Sequence, residues 1–170
     1  EFCFMSLPAK NSAKQREHDR ARILTLLLAD DALTESLLDP QGEQDAALRD
    51  QTSELTRLVN SLPAADIADA LESLPPDERH VLWQQVDADK HGQILVEASE
   101  TVWDSLISGM SDKELLHALS TLDIDDQIYL GQHLPRNLMG RLLTSMAPVD
   151  RDKVREVIRY GKHTVGAMMD

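Results

Sequence analysis

Apolar positions recur every 24 residues along the C-terminal 110 residues of the chain, in columns such as Leu71/Leu95/Leu119/Leu143, Leu82/Leu106/Leu130/Val154, Val86/Met110/Leu134/Ile158 and Ala70/Ile94/Ala118/Leu142. Twenty-four residues of unbroken helix would turn a column by about 240°, so such columns cannot share one face of one rod. The chain must fold back inside each period. Residues that start or stop helices stand where this requires, at Pro63, Asp87, Ser111 and Pro135, and again at Pro75, Ser99, Asp123 and Pro148. Each period therefore reads as two short helices stacked on the next pair. The expected fold is all-α: a right-handed superhelix, or α-solenoid, of about ten short helices.

The pattern places helices near 64–73, 77–86, 88–97, 100–109, 112–121, 124–133, 136–146 and 149–160. Upstream, helical order is expected from about Arg16, with Ile23, Leu24, Leu27 and Leu28 on one face. A shorter segment carries Leu33, Leu37 and Leu38 up to Pro40, and Asp39-Pro40-Gln41-Gly42 reads as a turn. Glu43 to Asn60 supplies a further helix with Leu48, Leu55, Leu58 and Val59 inward. Ser111 and Glu114 have capping-box spacing. The organisation expected is residues 1–15 as a cloning remnant (1–4, ahead of Met5) and flexible arm, 16–60 as N-terminal helices, 61–160 as the repeat domain, and 161–170 as a glycine-bearing linker toward a further domain.

Composition agrees and narrows the function. Leu, Ala and Met carry the apolar content and aromatics make up only 4%, which disfavours a β fold. The longest aliphatic stretch is centred on Leu26-Leu27-Leu28, far short of the roughly 20 apolar residues of a membrane span. No signal peptide is recognisable, and Cys3, in the remnant, carries no redox information. The net charge of −13 is uneven: residues 61–134 hold fifteen Asp and Glu against Arg79, Lys90 and Lys113, whereas residues 135–170 hold seven Lys and Arg against four acids. Such an acidic array repels phosphate backbones, so the expected partner is a cation or a basic protein rather than nucleic acid.

The most pointed cluster is Asp123-Ile124-Asp125-Asp126 at a helix start. Mg²⁺ prefers oxygen ligands, keeps most of its waters and takes one or two carboxylates from any one element, which two adjacent Asp can supply. The competing reading is structural, because Asp at the N-cap and first turn also complements the helix dipole. The same two readings apply to Asp87-Ala88-Asp89, Asp77-Glu78 and Asp150-Arg151-Asp152. If successive helix starts line one edge, their carboxylates accumulate within a Debye length of one another and attract divalent ions. The histidines at 18, 80, 91, 117, 133 and 163 lack the pairing of a zinc helix, and no phosphate-binding glycine loop or nucleophile elbow occurs. Nothing here reads as an enzyme, and Trp83 and Trp103 read as packing residues.

Residues 62–86, LPAADIADALESLPPDERHVLWQQV, resemble the opening of the N-terminal cytosolic domain of MgtE-type magnesium transporters. Ser111-Asp112-Lys113-Glu114-Leu115-Leu116, Leu122 to Asp126, and Arg155 to Tyr160 followed by Thr164-Val165-Gly166-Ala167-Met168-Met169 resemble later landmarks of that family. Val165 and Asp170 depart from the family's pattern at the end that leads into paired CBS domains. The resemblance implies a homodimeric membrane protein on the cytoplasmic side of the inner membrane. In it, this fragment makes no membrane contact, and Mg²⁺ bridges the N and CBS domains of the same chain to close the pore. It further implies Asp125 as an ion ligand with Asp126 beside it. Two other acidic positions of the family fall on Gln93 and Tyr129, so weaker sites, or recruitment of Asp123, Asp89 or Glu97, are expected, with Mg²⁺ held weakly until the CBS half is present.

The rival expectation is an adaptor whose acidic face holds a basic peptide or protein. Flagellar motor-switch proteins of the FliG type have related repeats, but their Glu-His-Pro-Gln signature is missing at Leu62-Pro63-Ala64-Ala65.

Overall fold

Helices begin at prolines or at residues such as Ser12, Asp45, Ser111 and Asp123, whose side chains accept from a free backbone N–H. The computed structural model describes residues 12–29, 31–39, 45–134, 136–145, 147–149, 151–152, 155–156 and 159. Its helices are α1 (Ala13–Leu28), α2 (Asp31–Leu38), α3 (Ala46–Ser61), α4 (Ala64–Ser73), α5 (Pro76–Gln84), α6 (His91–Glu97), α7 (Glu100–Ile107), α8 (Asp112–Ser120), α9 (Ile124–His133) and α10 (Arg136–Ser145), and no strand occurs among the described residues. The described residues between 148 and 159 are helical too. Pro63, Pro75, Ser99, Ser111 and Asp123 are the N-caps of α4, α5, α7, α8 and α9, as the 24-residue rhythm predicts. At Ser111 the capping box is complete: Glu114 N donates to Ser111 Oγ at 3.3 Å and Ser111 N to Glu114 Oε2 at 2.7 Å.

Three differences from the expected pattern have local causes. The segment expected as one helix over 88–97 is a 3₁₀ turn, Ala88–Lys90, followed by α6. There Lys90 Nζ reaches back to the carbonyls of Asn60 (2.6 Å) and Leu62 (3.1 Å), while Asp87 N donates to Asn60 Oδ1 at 2.9 Å. This ties the turn to the end of α3. Helix α1 starts at Ala13, ahead of Arg16, because Ser12 accepts from Gln15 N at 3.2 Å. Its inward face is Ile23, Leu26 and Leu27, whereas Leu28 is 50% exposed. One residue beyond Leu27, Leu28 is rotated by about 100° away from the buried stripe. Leu38 in α2 is likewise exposed, and residues 1–11, 40–44 and 160–170, which carry the expected arm, turn and linker, lie outside the described residues.

Helices two apart in sequence stack. α4, α6, α8 and α10 touch in succession and form one layer; α2, α5 and α7 form the other, joined by α9, which also packs on α6. The first three helices extend this array. α1 lies between α3 and α4, α2 packs on α5, and Arg16–Asp66 (3.2 Å) and Arg20–Asp69 (3.1 Å) ion pairs run along the α1–α4 seam. The repeat columns form the core between the layers: Leu82, Leu106 and Leu130 are at most 1% exposed, and Ala70, Ile94, Ala118, Val86, Met110 and Leu134 are buried. A ten-residue helix is marginal alone, so these columns carry the stability of the array.

Candidate functional site

The start of α9 concentrates charge. Asp123 is spent on structure, accepting from Asp126 N at 2.9 Å as the N-cap. Asp125 is exposed and Asp126 half-buried. Glu97 ends α6, which α9 packs against. Burial, followed by the charges of Asp123, Asp125 and Glu97, pushes the Asp126 carboxyl above the usual aspartate range. A carboxylate in the first turn of a helix gains from the dipole, by about 0.3–1 kcal/mol. For Asp126, desolvation and repulsion act in the opposite sense, disfavouring its charged form.

Asp89 is elsewhere. It stands at the opposite end of the 88–97 segment from Glu97, about 12 Å along a helical rod, and its Oδ1 lies 2.7 Å from His117 Nε2. Of the five carboxylates predicted from sequence, Asp123, Asp125 and Glu97 thus act on Asp126, and Asp89 is engaged with α8. Among the described residues, no three His, Cys, Asp or Glu side chains converge closely enough to form an ion site unaided.

The two edges of the array differ in how their acids are met. Along the starts of α4, the 3₁₀ turn and α8, Asp66 and Asp112 are ion-paired to Arg16 (3.2 Å) and Arg141 (2.8 Å), and Asp89 meets the His117 ring, which offsets its charge only when protonated. His117 and Arg141 are themselves 24 residues apart, so this ladder of partners follows the repeat. On the other edge the ends of α4 and α6 adjoin the starts of α7 and α9, as Ser99 N donating to Glu72 Oε1 (2.6 Å) and the coupling of Glu97 to Asp126 show. Glu72, Glu97, Glu100, Asp123, Asp125 and Asp126 gather there. The nearby base, Arg79, is taken up by the carbonyls of Leu71 and Leu74 (2.8 Å each) and by Ser105 Oγ (3.1 Å). Glu100 meets a ring, His133 Nε2, at 3.7 Å. None of these six carboxylates is ion-paired to a Lys or Arg among the described residues, so no such pair offsets their charge directly.

Sequence reasoning missed two arrangements. His91 is buried, its ring stacked on Trp83 with centroids 4.1 Å apart at 21°. Burial pushes its pKa below the usual value of 6.5, outweighing the opposite pull of the Trp83 and Val86 carbonyls and of Glu114. The second is a ring cluster at the surface. Buried Trp103, fixed by its Nε1 donating to Leu95 O at 3.0 Å, meets His133 edge-on (6.2 Å, 86°), and His133 leans on exposed Tyr129 (4.5 Å, 40°). Both tryptophans are packing residues, as the sequence predicts. The aromatic partners are 8, 30 and 4 residues apart, and only the last spacing, a helical i,i+4 pair, was readable in advance.

No helix among the described residues is long and apolar enough to cross a membrane. A model of a known protein family, the MgtE intracellular N domain, matches residues 62–163. No curated protein matches the chain.

Proposed function

The chain belongs to the family of MgtE intracellular N domains, the match spanning residues 62–163 of 170, and from that premise we propose that it is the Mg²⁺-sensing part of a magnesium transporter. In this reading it gates the pore by joining the CBS domains of its own chain when the ion is plentiful, within a homodimer. The observation that carries the reading is the uncompensated edge, where Asp126 is held above its usual pKa by burial and by three neighbouring carboxylates.

Mg²⁺ fits this donor set. It is a hard cation that retains waters and needs one or two carboxylates from any one element, and Asp125 and Asp126 would supply them, with Glu97 near enough to contribute charge. Asp123, occupied as a cap, would act through its field, and Asp89, paired with His117, is a poor candidate to join them. A half-site with few ligands suits a sensor, because affinity then depends on the facing module. With the ion absent, like charges hold acidic modules apart; with it bound, the repulsion is relieved and the joined arrangement gains population.

Limited proteolysis of the domain together with its CBS domains tests this. Millimolar Mg²⁺ is expected to protect the 160–170 segment, and Asp125→Ala to abolish the protection. Cleavage unaffected by Mg²⁺, or identical in the Asp125→Ala protein, would contradict the proposal.

A further inference from the structure

We propose that the exposed face of α9 is also a docking surface for an arginine-bearing segment of a protein partner, whose guanidinium lies on the Tyr129 ring and forks onto Asp125. Tyr129 is 41% exposed, and within α4–α10 no other large apolar side chain among the described residues is so exposed. A lone exposed tyrosine means little, but this one is held in place. Its ring rests on His133, which is fixed by a 2.7 Å contact of Nδ1 with the Tyr129 carbonyl and backed edge-on by buried Trp103. A ring already fixed loses little freedom when a ligand stacks on it.

Charge decides what the ligand is. Asp125, one helical turn before Tyr129, shares its face, and Glu100 lies on the far side beside His133. The stripe therefore offers a π face between two carboxylates in a region, residues 61–134, with fifteen acids and three bases. A guanidinium matches it better than an ammonium: it is planar, more weakly hydrated, stacks on aromatic rings and grips a carboxylate with two parallel N–H donors. A neutral apolar segment would leave both carboxylates facing it unpaired. The surface shares Asp125 with the proposed cation site and otherwise rests on different residues.

The test uses the 170-residue chain and two blocked peptides, tetra-arginine and tetra-lysine, with binding followed by NMR at low salt. Tetra-arginine is expected to bind about threefold more tightly than tetra-lysine, with the largest shifts at Tyr129 and Asp125. Tyr129→Ala should erase that preference and Tyr129→Phe should keep it. Equal affinity for the two peptides, or shifts spread evenly to Asp77 and Glu78, would overturn the inference. So would concentration-dependent shifts of Tyr129 in the absence of peptide, which would mark a second copy of the chain as the occupant. MgCl₂ added to the same samples separates the two proposals: Mg²⁺ shifts at Asp125 and Asp126 alongside equal peptide affinities would leave the cation reading standing and sink this one alone.

Discussion

Two titratable side chains, His91 and Asp126, have opposite signs of pH dependence. For His91 the folded pKa lies below the unfolded value, so the stability it confers is complete above about pH 6.5 and is lost as pH falls through the depressed value. Replacing His91 by Phe keeps a ring on Trp83 and should flatten the slope of unfolding free energy as pH falls below about 6.5, read by denaturant melts at stepped pH. An unchanged slope would show that the buried ring is not its source. Asp126 has a folded pKa raised above the unfolded one, so its ionisation weakens the fold, and stability recovers as pH falls from neutral into the carboxylate range. Asp126→Asn should accordingly be neutral to stabilising at pH 7, by about a few tenths of a kcal/mol at low salt, with the gain fading as salt screens its neighbours. A loss exceeding about 1 kcal/mol would mean that dipole stabilisation wins after all.

At the scale of elements, helix boundaries were legible because each depends on one or two adjacent residues. Ser111 with Glu114, Asp123, and the prolines at 63 and 75 mark their helix starts by chemistry that needs no tertiary information. What escaped depends on distant partners. The break between the 3₁₀ turn and α6 goes with contacts of Lys90 to carbonyls 28 and 30 residues away, and Asp89, at the far end of the segment from Glu97, meets His117, 28 residues on. Loss of the Ser111 cap in Ser111→Ala should cost about 1 kcal/mol in thermal or denaturant melts. Gly92 offers a sharper contrast. In an exposed helix Gly→Ala stabilises by about 1 kcal/mol, but a Cβ at position 92 would collide with the Ala118 carbonyl oxygen on α8, which is backbone. Gly92→Ala should instead destabilise by about 1–3 kcal/mol; a rise in melting temperature would show that α6 and α8 are less closely seated.

Over the whole molecule the periodic sequence dictates a two-layer stack, and the stack sorts the charges. Acids were expected to gather where successive helix starts line one edge, but the starts of α4, the 3₁₀ turn and α8 lie on one edge and those of α7 and α9 on the other, where the ends of α4 and α6 add Glu72 and Glu97. The partnering of the first edge repeat by repeat was not foreseen, because Arg16, His117 and Arg141 become partners of Asp66, Asp89 and Asp112 only once the layers are assembled. The family match begins at residue 62, yet the core runs through Ile23, Leu27, Leu33 and Leu55 without a break. A chain starting at residue 62 should therefore melt well below the 170-residue chain, with loss of cooperativity; equal melting temperatures would mean that α1–α3 are an appendage. The central claim is that the uncompensated edge, and not the acidic surface at large, takes a divalent cation. Carboxyl-carbon NMR during a Mg²⁺ titration tests it most directly. Saturable shifts at Asp125 and Asp126, with a smaller one at Glu97 and none at Asp89, are the expected result; equal, unsaturated drift of all surface carboxylates would contradict it.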